Sequence, residues 1–306
     1  MSQPHPHPDP PTDLTAALGL GVAGNFTGHL EQAGEASDFV DVAAAAGAPK
    51  GVFPFYLPGG GDHFLHTFPL SADTIEHPGE IAGRPAQLQI EPELALFCEL
   101  TYDQHGVITA VHPTHVTAYN DCSTRRPDAT KISQKKNWGP RTKGLASDQW
   151  IALDQFAPGG MLDHFRLACL LRRDGQLLVY GEDSPVAGPK GYGYMYRQLL
   201  DWLIDRLNNQ EDQGPLENLA QLIAAAGRPR HAVIAIGATR YTPLGESTFL
   251  QPDDESIVVA YDSRKIAPAS IFSLVDAPPT DDQPRSYAVL AQRAIPRGTT
   301  LSETSR

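Results

Sequence analysis

Chain breakers constrain this sequence more than any other feature. Glycine and proline number 27 each among 306 residues and recur along the whole chain. Such density favours many turns and short strands over a helical bundle. Strand-like and helix-like segments do not alternate regularly, so a doubly wound parallel sheet is also disfavoured. The expected fold is mixed α/β and β-dominated, with a few peripheral helices. Length allows one large domain, placed at 15–275. A Pro- and His-rich tail (1–14), with His5 and His7, precedes it, and a Pro- and Asp-rich extension (276–306) follows.

Charge narrows the function. Twenty-four basic residues against 36 acidic ones give −12, which disfavours a general nucleic-acid or anionic-membrane binder. No apolar run approaches the roughly 18 residues of a membrane span. The N-terminus lacks the basic and apolar regions of a secretory signal. Cys98, Cys122 and Cys169 are an odd, widely spaced set without a zinc or disulfide pattern. They read as small buried hydrophobes in a reducing, cytoplasmic protein.

Segments follow from pattern. Residues 86–101, 106–108 and 115–120 alternate as strands do. Residues 165–181 form two strand-like runs around Arg173-Asp174-Gly175, a hairpin signal. Leu199, Leu200, Leu203, Ile204 and Leu207 keep helical spacing. Pro215 and Gly227 bracket a second helix. HAVIAIG (231–237) and SIVVAY (256–261) read as strands. KGVFPFYLPGGG (50–61) reads as a loop. Residues 120–150 look irregular and hold the one dense basic stretch: Arg125, Arg126, Lys131, Lys135, Lys136, Arg141 and Lys143.

Two short motifs invite chemistry. Gly19 to Gly24 matches GxGxxG, but only LTAAL precedes it, leaving no room for the first strand of a dinucleotide fold. A turn leading into a helix at His29, capped by Thr27, is expected instead. Glu91-Pro92-Glu93 is more telling. Residues two apart in a strand share a face, and two unpaired carboxylates there repel and lose hydration. A divalent cation resolves both costs. Pro92 suggests a sheet edge or a bulge.

Five segments then occur in a meaningful order: GNFTGH (24–29), IEPELAL (90–96), VTAYNDCSTRR (116–126), RTKGLASDQW (141–150) and AIGATRYTPLGE (235–246). A later LQPDDESIVV (250–259) completes the series. This ordered set resembles the fumarylacetoacetate hydrolase family over roughly residues 20–265. The resemblance implies a rolled β-sandwich or barrel fold and a homodimer. It further implies one divalent ion, Mg²⁺ or Mn²⁺, on Glu91, Glu93 and Asp121. Hard carboxylate ligands suit either ion.

By the same resemblance the substrate is a small 2-keto or 1,3-diketo acid, such as an acylpyruvate, and the reaction is hydrolytic C–C cleavage through an enolate. Lys143 adds positive charge at the developing oxyanion. Arg125 buttresses a metal-binding carboxylate, and Thr239 hydrogen-bonds a substrate carboxylate. His29 is the base that activates water. Its family partner, a Glu three residues on, is Gln32 here. A neutral amide can orient imidazole but cannot stabilise imidazolium as a carboxylate does. Glu31 projects about 200° around the helix from His29, whereas Glu35 is a candidate substitute. Decarboxylation, hydration or tautomerisation of a keto acid needs no hydrolytic attack on the carbonyl carbon and is the alternative chemistry. Ligand binding without catalysis is the alternative class. Loops 50–62 and 184–195 are expected to set specificity.

Overall fold

Strands with an apolar row on each face build most of this protein. The computed structural model describes residues 8–26, 28–34, 39, 42, 44–45, 47–81, 83–126, 128–277 and 285–299. Eight strands, numbered along the chain, form the main sheet. They are β1 (Leu18–Ala23), β2 (Gly51–Tyr56), β3 (Leu70–Ser71), β8 (Pro92–Tyr102), β9 (Ile108–Asn120), β11 (Lys143–Leu145), β12 (Ile151–Ala152) and β15 (His231–Ala235). Their order is β2-β1-β15-β8-β9-β11-β3, with β12 also on β9. β1 runs parallel to β15, and β11 to β3.

A second sheet has the order β14-β13-β16-β17-β4. It comprises β4 (Thr74–His77), β13 (Phe165–Arg173), β14 (Gln176–Pro185), β16 (Glu255–Asp262) and β17 (Tyr287–Pro296). Two ribbons complete the set: β5 (Glu80–Ile81) with β6 (Arg84–Pro85), and β7 (Leu88–Gln89) with β10 (Ser123–Thr124). The β-dominated mixed α/β fold expected from the sequence is the one observed.

Period-2 alternation explains the packing. In β8, Leu94, Leu96, Cys98 and Leu100 join Leu167, Cys169, Leu171, Val258, Ala260 and Leu290 of the second sheet in one core. Ala95 and Phe97 turn the other way, onto Phe55, Tyr119, Leu145 and Val233. Each leucine so buried contributes on the order of 2 kcal/mol, which makes β8 the spine of the fold. The β13–β14 hairpin turns at Asp174 (φ 51°) and Gly175 (φ 77°), as a twisted two-residue loop requires.

Helices are few. In α3 (Tyr196–Asn209), Tyr196, Leu199, Leu203 and Leu207 are buried on one face. α4 (Leu219–Ala225) starts four residues after Pro215, because the Asn218 side chain accepts the Gln221 N–H at 3.0 Å and caps it. The remainder are short: α1 (His29–Gln32), α2 (Ser133–Lys136), α5 (Pro243–Ser247) and α6 (Ile271–Asp276). Among the described residues, no helix is long and apolar enough to cross a membrane.

Several expectations are corrected. The Gly19–Gly24 motif is no turn: Leu18–Ala23 is a buried strand. A Cβ at Gly19 or Gly21 would lie 2.2 Å from the ring of Phe55 or Phe53, respectively, so both glycines make room for aromatic rings. Those rings come from Gly51–Tyr56, a buried strand within the segment expected as a loop. Pro92 sits at no sheet edge; it opens β8, between β15 and β9, where the first residue tolerates the lost N–H. The irregular 120–150 stretch contains β10, α2 and β11. Tyr287–Pro296, within the expected C-terminal extension, forms β17 and pairs with both β16 and β4. His5, His7, Thr27 and Glu35 lie outside the described residues.

Candidate functional site

Antiparallel pairing of β8 and β9 assembles the centre. Pro92 is opposite Asn120, and Glu93 opposite Tyr119. Glu91 and Glu93 therefore stand at the start of one strand, beside Asp121 at the end of its neighbour. The Asp121 N–H donates to the Glu91 carbonyl at 2.9 Å. The Asn120 carboxamide ties the corner: its Oδ1 accepts the Glu91 N–H at 3.1 Å, and its Nδ2 donates to Ser256 at 3.0 Å. One carboxylate oxygen each from Glu91, Glu93 and Asp121 lies within 4.8 Å of the others, and all three residues are buried.

Three cations surround this triad. Lys136, on α2, places Nζ 2.6 Å from Glu91 Oε2 and 2.5 Å from Asp121 Oδ2, with its charge 5.3 Å from the Phe53 ring centre. Lys143 reaches Asp121 Oδ1 at 3.2 Å and donates to the Cys122 carbonyl. β11 presents it there because Gly144 pairs with Asn120. Arg125 contacts Glu91 Oε1 at 3.1 Å, donates from Nε to Gln89 Oε1 at 2.7 Å, and reaches the Tyr241 hydroxyl at 3.2 Å. Arg125 thereby pairs with the Glu91 carboxylate.

The ionisation pattern follows from these pairs. Burial pushes the Glu91 carboxyl up, but Lys136, Arg125 and His29 outweigh it and hold it well below the usual range. Burial and the neighbouring Asp121 raise Glu93 well above that range, against the pull of Lys136 and the Gly237 N–H it accepts at 2.7 Å. Asp121 is raised by burial, against Lys136 and Lys143. Burial lowers the Lys143 ammonium, and Asp121 opposes that shift.

The two other strands of this corner bring His29 and Thr239. Asn25, just after β1, donates to the Ile236 carbonyl at 2.8 Å, beyond the end of β15. That clamp sets His29 beside the loop 237–241. His29 Nδ1 lies 2.9 Å from the Thr239 carbonyl oxygen. A carbonyl only accepts, so Nδ1 carries a proton. The Thr239 hydroxyl oxygen is buried without a hydrogen-bond partner. His29, Glu91, Glu93, Asp121, Lys136 and Phe53 line one cleft.

Gln32 is placed differently from expectation. Its Nε2 donates to Glu246 Oε1 at 2.6 Å and to the Tyr241 carbonyl at 3.2 Å; its Oε1 accepts the Tyr241 N–H at 2.9 Å. It pins the 239–246 loop. Lys136, Gln89 and Glu246 escaped the sequence reading as site residues. The signal available for Lys136 was the dense basic stretch of an acidic chain.

Hard oxygen donors from these three carboxylates could hold a divalent metal ion. The fold and the site thus define a β-dominated protein with a buried carboxylate–lysine centre. Its residues 35–293 match a family of unknown function, DUF5718, and the chain belongs to that family. No curated protein matches it. Yeast Ynq8, a fumarylacetoacetate hydrolase family protein, shares its fold, with 13% identity, 95% of this chain and 98% of that one covered, and a TM-score of 0.50. Fumarylacetoacetate hydrolase from psychrophilic Exiguobacterium antarcticum matches at 14% identity, 92% and 76% coverage, and a TM-score of 0.45. A 2-keto-3-deoxy-D-arabinonate dehydratase structure with magnesium and 2,5-dioxopentanoate matches at 13% identity, 92% and 73% coverage, and a TM-score of 0.45.

Proposed function

We propose that this chain is a divalent-metal-assisted enzyme that cleaves a C–C bond in a small 2-keto or 1,3-diketo acid. The observation carrying the reading is the buried Glu91–Glu93–Asp121 triad, with Lys143 at its edge and His29 in the same cleft. A metal ion held by the triad would supply Lewis acidity toward the substrate's carbonyl oxygens. The residues would do the rest. His29 Nε2 takes a proton from water, and the hydroxide adds to the carbonyl carbon. The C–C bond breaks, its electron pair leaving as an enolate on the keto-acid fragment. Lys143 offsets the charge on that fragment. The enolate carbon then takes the proton back from His29. The unpartnered Thr239 hydroxyl is the group for a substrate carboxylate oxygen. Arg125 keeps Glu91 in place.

One observation favours a second chemistry on the same site. Gln32 spends its amide on Tyr241 and Glu246, and so stands outside the role of a carboxylate partner to His29. Decarboxylation, hydration or tautomerisation of a keto acid uses the enolate without hydrolytic attack on the carbonyl carbon and suits that arrangement. A homodimer in the cytoplasm belongs to the same proposal.

The test is a turnover screen. Chelated protein is given Mg²⁺ or Mn²⁺ and challenged with acylpyruvates, oxaloacetate and diketo acids, and the products are identified. Metal-dependent release of a carboxylic acid and a keto acid supports hydrolysis. Loss of CO₂, gain of water, or proton exchange alone supports the second chemistry. Substrate binding without conversion would leave a binding protein.

A further inference from the structure

Lys136 stands where a cation is wanted. Its Nζ touches two of the three triad carboxylates, at 2.6 Å from Glu91 and 2.5 Å from Asp121, and it lines the cleft with them. Its side chain is 3% exposed. Glu91 and Asp121 are already paired with Lys136, Lys143 and Arg125. A divalent ion added there would bring two further positive charges beside three buried or nearly buried cations, which is costly. It would also need carboxylate oxygens of Glu91 and Asp121 that Lys136, Lys143 and Arg125 hold between them.

We infer that Lys136 is the resident cation of this centre and competes with a divalent ion for Glu91 and Asp121. The inference rests on the reading that the triad is the working site. Lysine suits the role. Its ammonium is a compact point charge on a flexible stem, able to hold the carboxylates together and to yield them. The backbone of α2 is fixed independently, since Ser133, one turn earlier, donates to the buried Glu217. Metal entry then depends on side-chain withdrawal rather than on movement of the helix. An anionic substrate would favour the exchange, because it offsets the positive charge that the ion adds.

The experiment is Mn²⁺ titration of the full chelated chain by calorimetry, for wild type, Lys136→Met and Lys136→Arg. Lys136→Met is expected to bind Mn²⁺ at least tenfold more tightly than wild type, and to gain more in melting temperature from the ion. Lys136→Arg, which keeps the charge, should bind as weakly as wild type. Equal affinity of wild type and Lys136→Met, tighter binding by wild type, or binding by neither would overturn the inference. The turnover screen would still decide the functional reading separately. A wild-type crystal soaked in Mn²⁺ guards against a variant that does not fold. Anomalous signal at the triad with Lys136 moved away supports competition. Manganese on all three carboxylates with both Lys136 contacts intact contradicts it.

Discussion

The Thr239 carbonyl oxygen accepts the Nδ1–H of His29 across 2.9 Å. The imidazole is therefore oriented by backbone. Replacing His29 with Gln should lower kcat on any substrate found by about 10²–10⁴-fold, the usual worth of a positioned acid–base group. KM should change little. Steady-state kinetics checks this, and an unchanged kcat removes His29 from the mechanism.

Thr239→Val separates the two parts of the same residue. The carbonyl stays, so His29 keeps its orientation. The buried, unpartnered hydroxyl is lost, which relieves a cost of about 1–3 kcal/mol. The variant should melt at the same temperature or higher, while KM for a keto acid rises about tenfold. A drop in melting temperature with unchanged KM would give the hydroxyl a structural partner instead.

Gln32→Glu should not raise hydrolysis. The amide already donates to Glu246 and brackets Tyr241. A carboxylate there loses both donors and faces another carboxylate, at a cost of about 1 kcal/mol. Urea denaturation should show that loss, and adding Glu246→Gln should restore it. A gain in acylpyruvate hydrolysis would mean that His29 recruits the new carboxylate.

Much of this architecture is legible locally, and the exceptions share a cause. The Asp174-Gly175 turn and the Leu199–Leu203–Leu207 stripe are set by neighbours in sequence, so their patterns predict them. Glu91 and Glu93 announce themselves by spacing. Gly19 and Gly21 do not, because their meaning lies in Phe55 and Phe53, distant in sequence. The strand character of Gly51–Tyr56 is hidden for the same reason. Lys136 looks like one more solvated lysine in a basic run until the fold closes α2 over the triad. What a residue does for a remote partner is written in the topology, not in its own segment.

Glycine at position 21 provides a stability test. Gly21→Ala would press its methyl into Phe53, 2.2 Å away and buried. Overpacking of this kind costs about 1–3 kcal/mol. Phe53→Leu should recover part of it in the double variant. Additive losses by urea denaturation would show that the two side chains do not share that space.

Glu217 gives the fold a pH dependence. Burial raises its carboxyl from 4.5 to about 7, against the Ser133 hydroxyl that donates to it. The folded state therefore binds a proton that the unfolded chain releases. Its stabilising effect is full below pH 4.5 and is lost as pH rises to about 7. Glu217→Gln should flatten the stability curve across that window. A slope unchanged by the substitution would assign it to another group.

The central claim is that the buried carboxylates are the working centre. Its most direct test is Asp121→Asn, assayed on the substrate that the screen identifies, beside the melting temperature of the same preparation. At least a hundredfold loss of metal-dependent turnover is expected in a protein that remains folded. Full turnover in folded Asp121→Asn would place the chemistry elsewhere.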